Sequence, residues 1–173
     1  MRRAKKMSPE EHTAFHEAGH AVASVVLSGK VGRVTIVEDS RQDSLGSTCT
    51  TSSLELARNI EGLKTSRSAA WILGTQIQRM VFALAGETAA RRASGRKDKV
   101  GSDDDYGHVA DYALGIALDK VEANALIAWL ERRTDLLIKT HWKPIKALAA
   151  ALLRQKTLTG KQAREIVLST PPA

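Results

Sequence analysis

The stretch Phe15-His16-Glu17-Ala18-Gly19-His20-Ala21 constrains this chain more than any other. It is an H-E-x-x-H motif set in an apolar run. Residues four apart lie on one helix face, so His16 and His20 can aim two imidazoles at one metal ion. Glu17, one position on, can reach a water bound to that metal. Two nitrogen ligands and a carboxylate base on one helix make the arrangement of a zinc hydrolase. The competing reading, a solvated helix carrying two histidines by accident, sits poorly with flanks suited to a buried helix. Gly19 costs about 1 kcal/mol against alanine inside a helix. Such a glycine marks close approach of another backbone, here expected beneath the metal. As it stands, the motif is one ligand short.

The totals bound what can surround it. The 173 residues suit one domain. Apolar residues make up 43% and aromatics only 4%, so the core is expected to be aliphatic and alanine-rich, as packed helices allow. The one cysteine, Cys49, excludes an internal disulfide and gives no support for cysteine-ligated zinc. It fits a reducing compartment. The net charge of +7 is accounted for by ordinary solvated surface. Nucleic acid, an acidic partner or a membrane surface would also suit it, but no nucleic-acid motif occurs, so no specific nucleic-acid binding is expected. The first seven residues are basic and expected to be disordered, with no signal-peptide core behind them. The greasiest stretch, Ala69 to Ala90, is interrupted by Gln76, Gln78, Arg79 and Glu87, which argues against a membrane span. The expectation is a cytoplasmic protein.

Along the chain, Ser8-Pro9-Glu10-Glu11 reads as a capped helix start, and Ser28-Gly29 as its stop. Val31 to Val37 reads as a strand, followed by a polar turn and a second extended stretch, Leu45 to Thr51, poor in apolar residues. The second strand is expected at a sheet edge, where free N–H and C=O groups can pair with an extended peptide. A plain polar edge with nothing bound is the alternative. Leu54 to Leu63 fits a short helix or a loop equally well. A long helix is predicted from Ala69 to Arg92, with Gly86 marking tight packing, then a charged loop over Ala93 to Val100. Asp103-Asp104-Asp105 open a helix running to Leu118. Capping and the helix dipole explain one or two of these acids; a third is a ready oxygen ligand for a metal. Helices are expected over Asp119 to Thr140, from near Trp142 to near Lys156, and from the Thr159–Gln162 capping box to Leu168. The fold class is therefore mainly α with a small β-sheet or hairpin at the edge of the site. Residues 8–118 form a metal-site half and residues 119–170 a C-terminal helical part of one domain spanning 1–173.

Four stretches occur here in the order found in one protein family. Thr13-Ala14-Phe15-His16-Glu17-Ala18-Gly19-His20-Ala21 resembles T-A-Y-H-E-A-G-H-A, and Val34-Thr35-Ile36-Val37 through Leu45-Gly46 is similar to V-T-I-x-P…L-G. Leu84 to Ala90 resembles a G-G-R-A-A-E helix, and Gly101 to Asp105 is similar to G-A-S-N-D. These belong to the peptidase domain of the FtsH family, membrane-anchored AAA+ zinc proteases, and the resemblance covers nearly all of the chain after Ser8. The first and fourth motifs are specific; the others support them.

The resemblance implies a zincin-like helical metallopeptidase that binds Zn2+ through His16, His20 and a third, aspartate ligand, with Glu17 as general base. Counting from Gly101 assigns the third ligand to Asp105, with Asp104 as runner-up and Asp103 as a cap. It implies a peptide or unfolded-protein substrate paired with the edge Gly46, Ser47, Thr48, Cys49 and Thr50. His12, one turn before His16, is expected to decorate the helix, and His108 to lie on the surface. The chain departs from the family in having Ala90-Arg91 where acidic residues follow, and in lacking a P-loop and a membrane anchor. A separate ATPase would then have to unfold substrates, and the homo-oligomer formed by the family's ATPase ring carries over only as a possibility. The rival reading is a zinc-containing module that docks a partner on its edge strand and cleaves nothing.

Overall fold

The computed structural model describes residues 7–37, 47–48, 69–95 and 103–172. The first helix, α1 (Pro9–Ser28), begins as its sequence dictates. Ser8 Oγ accepts from the Glu11 backbone N–H at 3.1 Å, and the Glu11 carboxylate accepts from the Ser8 N–H at 2.8 Å. It ends at Gly29, which adopts φ 69° and donates its N–H to the Val25 carbonyl. Two short strands follow, β1 (Val34–Thr35) and β2 (Ser47–Thr48). Then come α2 (Ala69–Ser94), α3 (Asp103–Ile116), α4 (Lys120–Thr140) and α5 (Trp142–Gln155). A third strand, β3 (Thr157–Leu158), precedes the last helix, α6 (Gly160–Ser169). The protein is mainly helical with a small antiparallel sheet, in the order β2-β1-β3. Among the described residues, no helix is long and apolar enough to cross a membrane.

Helix α1 is central. It packs along α2 on one side and α5 on the other. Ala14, Ala18, Ala21 and Val22 of α1 and Ala85 and Ala89 of α2 are fully buried. Small side chains let the two helix axes close up, and the scarcity of aromatics leaves no bulky residue to separate them. The approach is tightest at Gly19. A Cβ there would stand 2.5 Å from the Ala85 carbonyl oxygen and 2.7 Å from Ala89 Cβ. One apolar cluster joins α1, α2, the end of α4, α5, α6 and the sheet through residues such as Ala85, Ile138, Ile145, Leu148 and Leu152. A second joins α2, α3 and α4 through Met80, Leu84, Val109, Ala113, Ile127 and Leu130. Leu27 and Leu137 pack against both.

Three sequence expectations change. The strand expected over Val31 to Val37 is only Val34–Thr35 long. Its flanks are used differently: the Val31 carbonyl lies against the Cα of Gly160, where a Cβ would collide with it, and the Ile36 N–H donates to the Lys156 carbonyl. The expected pairing of the two strands is observed, and the sheet gains a third member, because Val34 and Thr35 also pair with Leu158 and Thr157. Helix α2 runs to Ser94, past the loop start expected at Ala93. The expected short helix or loop over Leu54 to Leu63, residues 96–100 of the charged loop and the basic residues 1–6 lie outside the described residues. The helix break before Trp142 is observed, as is the capping of α6, where Thr159 Oγ1 and the Gln162 side chain exchange hydrogen bonds with each other's backbone N–H. Asp119 caps α4 by accepting from the N–H groups of Val121 and Glu122.

The Gly19 contact yields a prediction. Gly19→Ala gains about 1 kcal/mol of helix propensity but forces a methyl into backbone, an overpacking cost of about 1–3 kcal/mol with no side chain able to move aside. Chemical denaturation should show a net loss of stability; an unchanged or higher midpoint would mean the helices do not approach this closely.

Candidate metal centre

The two histidines of α1 and the acid of α3 meet over the α1–α2 contact. His16 Nε2 and His20 Nε2 are 2.9 Å apart. Asp105 Oδ2 lies 3.3 Å from the first and 3.4 Å from the second. Four-coordinate zinc, with bonds of about 2.0–2.1 Å, holds neighbouring ligand atoms about 3.3 Å apart. Two imidazole nitrogens and one carboxylate oxygen at these separations fit that demand. These three residues are close enough to hold a metal ion, and they are the one such group found among the described residues.

The orientation of His20 is set from α2. Its Nδ1–H donates to the Phe82 carbonyl oxygen at 2.8 Å, and its ring stacks on the Phe82 ring at a centroid distance of 4.6 Å. With the hydrogen held on Nδ1, Nε2 presents a lone pair toward His16 and Asp105. Phe82 and Gly86 are one turn apart, and the bare Cα of Gly86 faces the same imidazole. A Cβ on Gly86 would sit 2.8 Å from His20 Cδ2 and Cε1. The tight packing expected at Gly86 is thus space for a ligand ring. Nothing in the sequence marks Phe82 as the partner of His20, although both its carbonyl and its ring meet the imidazole.

The electrostatics favour positive charge at the centre. Burial would raise the pKa of Asp105, but hydrogen bonds and charge from His16 and His20 outweigh it and hold the carboxyl well below its usual range. Burial would lower His20, but its contact with Asp105, the charges of Glu17 and Asp105 and the Phe82 carbonyl raise it instead. Metal binding would displace that proton, because a ligating imidazole must be neutral. Glu17 is only 4% exposed, and its charge reaches His20.

Other expected residues fall around the centre. The side chains of Asp103 and Asp104 lie outside the described residues, and the carboxylate that meets the histidines is that of Asp105. His12 stacks on His16 at 6.5 Å between centroids and is outside the donor group. His108 is exposed, beside Tyr112. Ser47 and Thr48 form β2, an outer strand of the sheet that lies against α1, whereas Gly46, Cys49 and Thr50 lie outside the described residues. Sequence reasoning also passed over Glu87. Its Oε2 is buried with no hydrogen-bond partner among the described residues. Burial pushes this carboxyl up to about 6, the Asp105 charge adds to the rise, and Arg91 opposes it.

In comparisons with known proteins, no family model matches the chain, and no curated protein matches it either.

Two outcomes follow from the surroundings of the centre. Gly86→Ala should displace the His20 ring and weaken zinc binding by about 10–100-fold, read by competition with a chelating dye; unchanged affinity would show the ring has room to spare. Glu87 has its folded pKa above its ordinary value of 4.5, so its ionisation destabilises the metal-free protein as pH rises through about 6. Glu87→Gln should therefore stabilise the chelated protein above that pH by about 1 kcal/mol, the linkage value halved for partial exposure, and leave it unchanged below pH 4.5.

Proposed function

We propose that the protein is a zincin-like, zinc-dependent metallopeptidase that hydrolyses peptide bonds of flexible or unfolded polypeptides. The observation that carries this reading is the convergence of His16 Nε2, His20 Nε2 and Asp105 Oδ2 within 2.9–3.4 Å, on the same helix turn as a buried Glu17. The resemblance of the Thr13–Ala21 and Gly101–Asp105 motifs to the FtsH peptidase domain supports it. A zinc ion held by these three residues would supply Lewis acidity, lowering the pKa of a water molecule toward neutrality and polarising a scissile carbonyl.

The chain's own residues supply the rest. Glu17 takes a proton from the attacking water as its oxygen bonds to the carbonyl carbon, and returns that proton to the leaving amine as the C–N bond breaks. Its burial keeps bulk water from competing for the proton. His20 is locked by the Phe82 carbonyl, so its lone pair stays on the metal side. Of the expected substrate edge, the described strand β2 (Ser47–Thr48) would offer backbone groups to an extended substrate beside α1. An extended strand is accessible only in flexible or unfolded chains. The 173 residues contain no P-loop, so the unfolding of folded substrates would come from an ATPase outside them. The single Cys49 suits a reducing, cytoplasmic setting.

The deciding experiment combines zinc content with cleavage of fluorescently quenched, unfolded casein. The wild type should carry one zinc per chain and cleave, and chelation should stop it. Glu17→Gln should keep the zinc and lose at least about 100-fold in rate, whereas Asp105→Ala should lose the zinc. Full activity in Glu17→Gln would sink the mechanism. Zinc without cleavage in the wild type would instead support a non-cleaving module that docks a partner on its edge strand.

A further inference from the structure

Among the described residues, three buried side-chain oxygens lack a hydrogen-bond partner: Gln76 Oε1, Glu87 Oε2 and Thr134 Oγ1. Of these groups, Glu87 alone can carry charge. A buried carboxylate oxygen with no partner costs more than a buried hydroxyl or amide, so its place in the fold needs a cause. The neighbouring side chains do not supply one. Thr88, next in the chain, donates its hydroxyl to the Leu84 carbonyl at 2.6 Å. Arg91, one turn on, favours the carboxylate by its charge but gives the buried oxygen no hydrogen bond. Burial and the charge of Asp105 act against ionisation and together outweigh Arg91.

The position of Glu87 points to the metal centre. In the chain it follows Gly86, whose bare Cα faces the His20 imidazole, and it stands between Ala85 and Ala89, which close on Gly19. Helix α3 packs on the same helix and brings Asp105 to the two histidines. The charge of Asp105 is felt at Glu87. A dication held by Asp105 would be felt there too, with the opposite sign. Two neutral imidazoles and one carboxylate leave a dication with net positive charge. Metal binding would therefore turn a repulsive neighbour of Glu87 into an attractive one. The carboxylate destabilises the metal-free protein and stabilises the metal-bound one, and that difference is metal affinity.

We propose that Glu87 is a charge-balancing residue of the metal centre, a carboxylate outside the donor group whose negative charge strengthens the binding of a divalent cation by His16, His20 and Asp105. Helix α2 then serves the centre in two ways. Phe82 and Gly86 orient and seat the His20 ring, and Glu87 sets how tightly the ion is held. The proposal rests on the metal centre and not on peptide cleavage, so it applies equally to a metallopeptidase and to a non-cleaving module.

Two measurements on the full chain test it, both above the pH of about 6 at which Glu87 ionises. One is zinc affinity by competition with a chelating dye; the other is stability of the chelated protein by chemical denaturation. Glu87→Gln keeps the shape of the side chain and removes its charge. It should weaken zinc binding by about tenfold or more while the chelated protein becomes more stable. A merely structural role would move both quantities the same way; a charge role moves them apart. Glu87→Asp keeps the charge and should retain zinc affinity within about threefold of the wild type. Unchanged zinc affinity in Glu87→Gln overturns the proposal. So does weaker zinc binding together with a less stable chelated protein, or a Glu87→Asp variant weakened as much as Glu87→Gln. A wild type that binds no zinc overturns both this proposal and the peptidase reading. A wild type that binds zinc, is weakened by Glu87→Gln and cuts no peptide supports this proposal and overturns the peptidase reading alone.

Discussion

The molecule depends on how little stands between α1 and α2. At Gly19 the backbones meet with no side chain separating them, and alanines line the contact on either side. An interface built from methyl groups offers modest apolar area per residue. It compensates with density, since close-packed backbones gain dispersion contacts that bulkier, poorly fitting side chains would lose. The same closeness sets the chemistry. His20 can hydrogen-bond the Phe82 carbonyl only because α2 lies within reach of a single imidazole, and the ring fits only because Gly86 leaves it room. Helix packing and ligand placement are here one constraint.

The third donor arrives by a different route. Asp105 belongs to the first turn of α3, which packs on α2 and α4 rather than along α1. Helix α2 therefore serves as the common reference for all three donor atoms: it fixes His20 directly and supports the helix that carries Asp105. A cation at this point would tie together parts of the chain that otherwise meet mainly through α2. The charge balance suits such a role. The carboxylate is held ionised by the imidazoles despite its burial, and His20 favours its charged form despite its own desolvation.

Much of this was legible in the sequence where a local rule determines structure. The Ser8–Glu11 box, the stop at Gly29, the break before Trp142 and the Thr159–Gln162 box each follow from one or two residues with a defined backbone role. Gly19 and Gly86 could be recognised as contact points because glycine inside a helix needs a reason. His16, His20 and Asp105 could be named together, although their meeting depends on helices far apart in sequence. What escaped notice acts through partners without a sequence signature. Phe82 contributes a carbonyl that any residue would have. The pair Thr157–Leu158 is too short to show strand periodicity and becomes a strand only by meeting Val34 and Thr35. Within α4, helical spacing fixes which residues share a face, not which face turns inward: Leu130 is buried while its neighbour Trp129 is exposed.

The place of β1 in the sheet has a consequence for how the molecule is made. β1 is the middle strand, paired on one side with β2 and on the other with β3. The Thr35 and Thr157 hydroxyls that close the second pairing, 2.7 Å apart, are separated by 122 positions. On the ribosome, α1 with its two histidines emerges early, but the sheet beside it stays incomplete until residues 157–158 have been synthesised. The nascent chain thus holds the histidine helix long before it holds the finished strand platform next to it. Assembly of that platform waits for a segment made 122 positions after the strand it pairs with, so the surroundings of the histidine helix close only once that later segment is in place.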